Sequence, residues 1–289
     1  MKTLILGSTG FLGSNFSQGI LENVTKHVSE QTNEAGNDTV VRRLSTPEDI
    51  EFLEIEKYER VINCIAIANI EDCKADPKKA LWINSELPGL VASKCLKYGT
   101  RFVHFSTDAV FNGSISFATE EDTPNPKSIY GTSKLLGDTL VLNANPDALI
   151  LRVNFFGSNP RGSSLFDYFY NAFKSGQNTF GYSDLYFTPT YVRDLVRMTL
   201  EIDSKGVCGL VHAVGSERIS KYEFGSQIRE NLGLDNSFIT KIPANGLSRM
   251  QARSLDLSLS NRKLISYGIQ PQSYLDGLKQ LISNLRGIL

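Results

Sequence analysis

Short apolar runs rich in β-branched residues recur along the chain and alternate with helix-length amphipathic stretches. The runs at 3–6, 61–65, 102–105, 149–153 and 210–214 are apolar at consecutive positions, the pattern of parallel strands covered on both faces. Between them, residues 77–98 and 128–142 carry helical patterning, and Pro88 is placed to kink or split the first of these. This alternation predicts a doubly wound α/β fold with a parallel sheet. Beyond Gly157 the composition shifts, with ten of the chain's 28 aromatics within 165–191 and a helical segment at 221–232. The shift predicts a first domain over 1–157, to which 190–214 returns, and a smaller C-terminal α/β lobe of 158–189 and 215–289. The polar, turn-rich stretch 30–38 predicts a surface loop.

Composition narrows the function classes. Thirty Lys and Arg against 31 Asp and Glu in 289 residues leave a net charge of −1, which removes the global positive field a nucleic-acid partner needs. No run approaches the roughly 18 apolar residues of a membrane span, and the start is too short in apolar length for a signal sequence, so a cytoplasmic protein with no membrane partner is expected. Four cysteines without C-x-x-C spacing and three histidines without paired spacing predict reduced thiols and no metal site. His104 and His212 lie inside strand-like runs and are expected in the core.

Candidate chemistry begins directly after the first strand, with Gly7, Ser8, Thr9, Gly10, Phe11, Leu12 and Gly13. Glycines at positions one, four and seven of a strand-to-helix loop let the backbone turn sharply and approach a pyrophosphate at the helix start. A dinucleotide is therefore expected here, in a Rossmann-type domain. Its 2′ position would meet Glu30, as an acid for a ribose hydroxyl, or Arg42 or Arg43, as a cation for a 2′-phosphate. The balance leans slightly to NADP over NAD.

Tyr130 and Lys134, spaced i to i+4, share one face of the second predicted helix. An adjacent ammonium would favour the phenolate of Tyr130 and make it a proton shuttle near neutral pH. Ser106, Thr107 and Asp108 stand at the end of the strand before it, where doubly wound sheets open onto their ligand crevice. A hydroxyl there could bond a substrate carbonyl or simply cap the next turn.

Together these motifs resemble the extended short-chain dehydrogenase/reductase superfamily. The stretches 105–113, 121–126 and 129–135 resemble its dTDP-4-dehydrorhamnose reductase branch, and similarity runs on through 61–66, 151–153, 188–191, 220–224 and 263–269. The resemblance implies that Thr107 polarises a carbonyl, Tyr130 donates the proton, and Lys134 holds the nicotinamide ribose, with Asn84 supporting a water relay to Lys134. It implies cofactor contacts from the glycine loop, Arg43, Ala66, Tyr130 and Lys134, and substrate contacts from Ser106, Thr107, Asp108, Asn154 and Arg253. Ala109 stands where nucleotide-sugar dehydratases carry a glutamate, so dehydration is disfavoured. Arg43 replaces the family's usual acid near the adenine, Phe155 replaces a frequent tryptophan, and Ser254 replaces the proline after Arg253.

The implied activity is NAD(P)H-dependent reduction of a nucleotide-activated 4-keto-6-deoxy sugar for deoxysugar or surface-polysaccharide synthesis, by an enzyme that pairs as a homodimer. A nucleotide-sugar epimerase uses the same trio, and a regulatory subunit of the same fold needs none of it.

Overall fold

The computed structural model describes residues 1–17, 21, 23–30, 38–159, 161–234, 237–247 and 254–287. The first half runs β1 (Thr3–Leu6), α1 (Phe11–Ser17), β2 (Val24–Val28), β3 (Thr39–Val41), α2 (Pro47–Glu51) and β4 (Arg60–Asn63). There follow α3 (Ile70–Ala75), α4 (Pro77–Leu81), a π-helical turn at Trp82–Glu86, α5 (Leu87–Tyr98), β5 (Arg101–Thr107), α6 (Ile129–Ala144) and β6 (Leu149–Val153). With the late strand Gly209–His212, the sheet has seven strands in the order Gly209–His212, β6, β5, β4, β1, β2, β3. The pairs β1–β2, β1–β4, β2–β3 and β4–β5 are parallel. Strand order reverses beside β1, and in such sheets ligands bind outside the carboxyl ends at that switch point.

Every residue of β1, β4 and β6 is buried, which explains why these strands read as unbroken apolar runs. Strand β5 continues two residues past its expected end, so Ser106 and Thr107 belong to it. The expected helix over 77–98 is split, and Pro88 supplies the reason. Proline has no N–H for the carbonyl four residues back, that of Asn84. The turn widens there, and the Leu87 N–H reaches back to the Trp82 carbonyl.

The chain divides into two compact units: residues 1–110, 128–152 and 203–211, and residues 111–127, 153–202 and 212–289. These boundaries differ from those expected. Residues 111–127 join the second unit, because Gly113, at φ +80°, lies against the Asp256 backbone and Ser254 hydroxyl bonds the Phe111 carbonyl at 2.9 Å. The return to the first unit is only 203–211, not 190–214.

In the second unit, α7 (Leu165–Lys174) buries Phe166, Phe169 and Phe173; α8 (Val192–Ser204) follows along the chain, and α9 (Lys221–Leu232) buries Phe224. Phe224 meets Phe156 and Phe187 edge-on at 5.2 and 5.6 Å, so the aromatic-rich segment supplies core. Ser164 with Asp167, and Ser220 with Glu223, close reciprocal capping boxes that start these helices. Much of 30–38 lies outside the described residues. Among the described residues no helix is long and apolar enough to cross a membrane.

Candidate active site

The glycine loop packs backbone against backbone. Gly7 has φ +75°, and a Cβ there would also stand 3.0 Å from the Ile65 side chain. A Cβ at Gly13 would fall 2.2 Å from the Gly7 carbonyl oxygen, so only glycine lets α1 start this close to the loop. At Gly10 the nearest atom to a Cβ is that same oxygen at 3.3 Å, which leaves the outer side of the loop open. This open cradle fits a pyrophosphate that must approach the main chain. Ser8 donates both its N–H and its hydroxyl to the His27 carbonyl, at 3.1 and 2.9 Å, so it anchors the loop to β2 rather than facing outward. Thr9 is exposed, Phe11 half-buried and Leu12 buried.

The rival cofactor-selecting residues come together. Glu30, two residues beyond β2, forms an exposed ion pair with Arg43, two residues beyond β3. Arg42 is committed elsewhere, bonding Asp49 at 2.8 Å and stacking over the Phe52 ring at 3.7 Å. Arg43 is thus the cation at the β2 end.

Ala66 is exposed on the segment after β4, and two asparagines clamp that segment. Ile65 N–H donates to Asn63 Oδ1 at 3.1 Å. Asn84 Oδ1 accepts from Ile67 N–H, and its Nδ2 donates to the Ile67 carbonyl, both at 2.9 Å. Asn84 Nδ2 also reaches Ser133 Oγ at 3.0 Å, so this carboxamide ties the loop to α6. Nothing in the sequence motif distinguished Asn63; its partners are 2 and 41 positions away.

Thr107, Tyr130 and Lys134 meet at the end of β5. Ser128 caps α6 by accepting from Gly131 N–H at 3.0 Å, which sets Tyr130 and Lys134 on one face of the helix. Thr107 donates to Asp108 Oδ1 at 3.0 Å, accepts from Ala109 N–H at 3.2 Å, and hydrogen-bonds Tyr130. Burial pushes the Tyr130 phenol up to about 12; the Thr107 hydrogen bond lowers it, and the nearby Asp108 charge adds to the rise. The phenol stays protonated through the neutral range.

Lys134 is only 2% exposed, and burial brings its amine down to about 8. Its Nζ donates to the Phe105 carbonyl at 2.5 Å and lies 3.3 Å from His104 Nε2. Successive strand residues point to opposite faces. Thr107 accordingly meets Tyr130, whereas Ser106 is buried on the side of Asp138, itself paired with Arg152 at 3.1 Å. Ser106 is 4% exposed on that side of the strand.

Asn154 lies in the second unit, where its carbonyl accepts from Thr190 N–H at 3.1 Å. Arg253 lies outside the described residues. Among the described residues, no three His, Cys, Asp or Glu side chains are arranged to hold a metal ion.

Comparison with known proteins places this constellation in a family. The model of the RmlD substrate binding domain matches residues 1–286. The probable low-salt glycan biosynthesis reductase Agl14 of Haloferax volcanii is 31% identical over 262 residues, covering 88% of this chain and 87% of that one. Methionine adenosyltransferase 2 subunit beta of Mus musculus is 28% identical over 235 residues, covering 76% and 68%. The crystal structure of a dTDP-4-dehydrorhamnose reductase from Clostridium acetobutylicum superposes with a TM-score of 0.86 at 26% identity, covering 99% of this chain and 100% of that one. The chain belongs to the RmlD substrate binding domain family of extended short-chain dehydrogenases/reductases, and it is an oxidoreductase of that family.

Proposed function

We propose that the protein catalyses the NAD(P)H-dependent reduction of the keto group of a nucleotide-activated 4-keto-6-deoxy sugar, for deoxysugar or surface-polysaccharide synthesis. The observation that carries this reading is the meeting of Thr107 with Tyr130, on the helix that bears buried Lys134, while the glycine cradle follows another strand of the same sheet. A reduced nicotinamide, when bound, supplies the hydride to the keto carbon. The open Gly7–Gly13 loop would hold its pyrophosphate, with the segment Asn63–Ile67 as a further candidate contact. Thr107 gives its one hydroxyl proton to Asp108 Oδ1, and rotation of that hydroxyl would turn the donor to the carbonyl oxygen. Tyr130 gives its proton to that oxygen as the alkoxide develops, and the resulting phenolate is reprotonated from solvent. A phenol kept protonated suits reduction, the direction that consumes a proton. Lys134 positions the ribose through its amine.

Several features support the finer points. Arg43 favours a 2′-phosphate, hence NADP, although its pairing with Glu30 tempers the preference. Ala109 brings no acid–base group, so water elimination lacks its acid. The names of the Haloferax and Clostridium relatives agree with a reductase acting on activated sugars. Exposed Leu90 and Leu96 on α5 and Leu136 on α6 suit a homodimer, checkable by light scattering.

The likeness to a methionine adenosyltransferase subunit favours a second reading, a regulatory protein. The complete trio weighs against it, since regulation has no chemical use for Tyr130 and Lys134. The deciding experiment offers dTDP-, UDP-, GDP- and CDP-linked 4-keto-6-deoxy sugars to the purified protein with NADPH and with NADH. Oxidation of cofactor with one sugar establishes the reductase. Silence across the panel, with cofactor bound, transfers the assignment to an epimerase or a regulatory subunit.

A further inference from the structure

The stretch that joins Thr107 to Tyr130 along the chain is held by one buried carboxylate of the second unit. Residues 111–127 belong to that unit, yet they begin three positions after Asp108 and end three before Tyr130. They form no helix and only an isolated bridge, Ala118 to Leu259, so their course is set by side-chain contacts. Asp256, 7% exposed, takes most of that load. Its Oδ2 accepts from Ser116 Oγ at 2.5 Å and Arg218 Nε at 2.8 Å, and its Oδ1 accepts from Ser258 N–H at 3.0 Å and Ser258 Oγ at 2.7 Å. Ser258 passes the hold on: its Oγ accepts from Phe117 N–H at 2.8 Å, and its carbonyl accepts from Ala118 N–H at 3.0 Å. The Phe117 backbone, at φ +53°, lies in the left-handed region that a bulky side chain adopts only under constraint. Arg218 is fixed in turn, its guanidinium 3.5 Å from the centre of the Tyr186 ring, and Tyr186 is the strand partner of Asp256 itself.

We infer that Asp256 is a positioning residue of the active site, whose carboxylate fixes the connection from Thr107 to Tyr130 and through it the approach of that hydroxyl to that phenol. The clamp stands by itself; its consequence for turnover rests on the reductase reading. Donors converge on both oxygens of Asp256, so only an acceptor-only group satisfies them all. A carboxamide in its place would turn an NH2 group toward either the Arg218 guanidinium or the Ser258 N–H, donor against donor. Burial pushes the Asp256 carboxyl up, but the hydrogen bonds from Arg218, Ser116 and Ser258 together hold it below the ordinary carboxylate range, so it is ionised at neutral pH. At the far end of the connection Glu120 Oε1 accepts from His212 N–H at 2.7 Å, a second tie to the same unit.

Asp256→Asn, close in volume, tests this on the whole protein without any sugar. Backbone hydrogen exchange at Phe117 and Ala118 should quicken by about tenfold, the scale of one lost hydrogen bond to a charged group, while β1 and β4 exchange as in the native chain. In tyrosine labelled at 13Cζ, with Tyr130 assigned by its loss in Tyr130→Phe, the Tyr130 signal should shift or broaden while that of Tyr58, in the core of the first unit, stays in place. Unchanged exchange overturns the inference, and so does a Tyr130 signal identical to the native one, which would show that the carboxylate supports only its own unit. With the sugar that the panel identifies, kcat should fall about tenfold while cofactor affinity stays within about twofold. A kcat within about twofold of native overturns the positioning role. Should Asp256→Asn fail to fold, Ser116→Ala at an exposed position removes a single donor and should move the same exchange rates and the same signal by a smaller amount; no movement overturns the inference. A silent panel leaves the exchange and the Tyr130 signal to decide, so the two readings fall separately.

Discussion

At the scale of single residues, the site separates the proton donor from the amine. Tyr130→Phe should abolish cofactor oxidation while leaving cofactor affinity within about threefold, read by fluorescence titration and turnover side by side. Arg43→Ala should lower the NADPH over NADH preference in kcat/KM by roughly tenfold, the scale of one charge-assisted contact. Lys134 predicts a pH-dependent stability. Its folded pKa of about 8 lies below the 10.5 of the free side chain, so between these values the unfolded chain binds more protons. Stability contributed by this site therefore rises with pH across that window and is lowest beneath it. Relative to Lys134→Met, the native chain should gain about 3 kcal/mol from neutral to alkaline pH, measured by urea unfolding at each pH. A flat difference would contradict the burial argument. The sequence showed the Tyr–Lys spacing and the strand-end hydroxyls. It could not show that burial would push the Tyr130 phenol up and the Lys134 amine down, because desolvation depends on what packs around each group.

At the scale of elements, one contact holds the trio's helix in place. A Cβ at Gly137 of α6 would come within 2.2 Å of the Asn84 carbonyl, the group that Pro88 releases from helical bonding. Gly137→Ala should push α6 off the π-turn, costing about 1–3 kcal/mol in chemical denaturation and lowering kcat more than it raises KM. The Pro88 break was legible in the sequence as a kink. Its partner glycine was not, since the two lie 49 positions apart and only packing brings them together. The same holds for Asn84, whose carboxamide clamps Ile67 and Ser133, so that the loop carrying Ala66 and the helix carrying Lys134 share one support.

At the scale of the whole molecule, distant segments are joined by buried charge. Asp203, at the end of α8 (Val192–Ser204), pairs with Arg60 of β4 at 2.9 Å and Arg101 of β5 at 2.7 Å, and is 3% exposed. Removing one partner leaves buried guanidinium charge uncompensated. Asp203→Ala should therefore destabilise the first unit by about 3–5 kcal/mol in urea unfolding. A loss under 1 kcal/mol would mean that the arginines are compensated elsewhere. The chain crosses between its two units after Val110, Lys127, Arg152, Ile202 and Val211. Composition located the aromatic second lobe, but periodicity could not assign residues 111–127 to it, because that segment is held by long-range contacts with Ser254 and Asp256 instead of by a pattern of its own.

What the sequence determined by itself is whatever depends on neighbours along the chain: buried strands as apolar runs, capped helices, the glycine loop, the i to i+4 pairing of Tyr130 with Lys134. What only the tertiary structure decided is what depends on burial and on partners far apart in sequence. Ser106 turns inward while Thr107 meets Tyr130, Glu30 pairs with Arg43, and Asn63 and His104 line up behind Lys134. The physical reason is the same in each case: hydrogen-bond direction and desolvation are properties of a packed neighbourhood, and a linear pattern does not contain them.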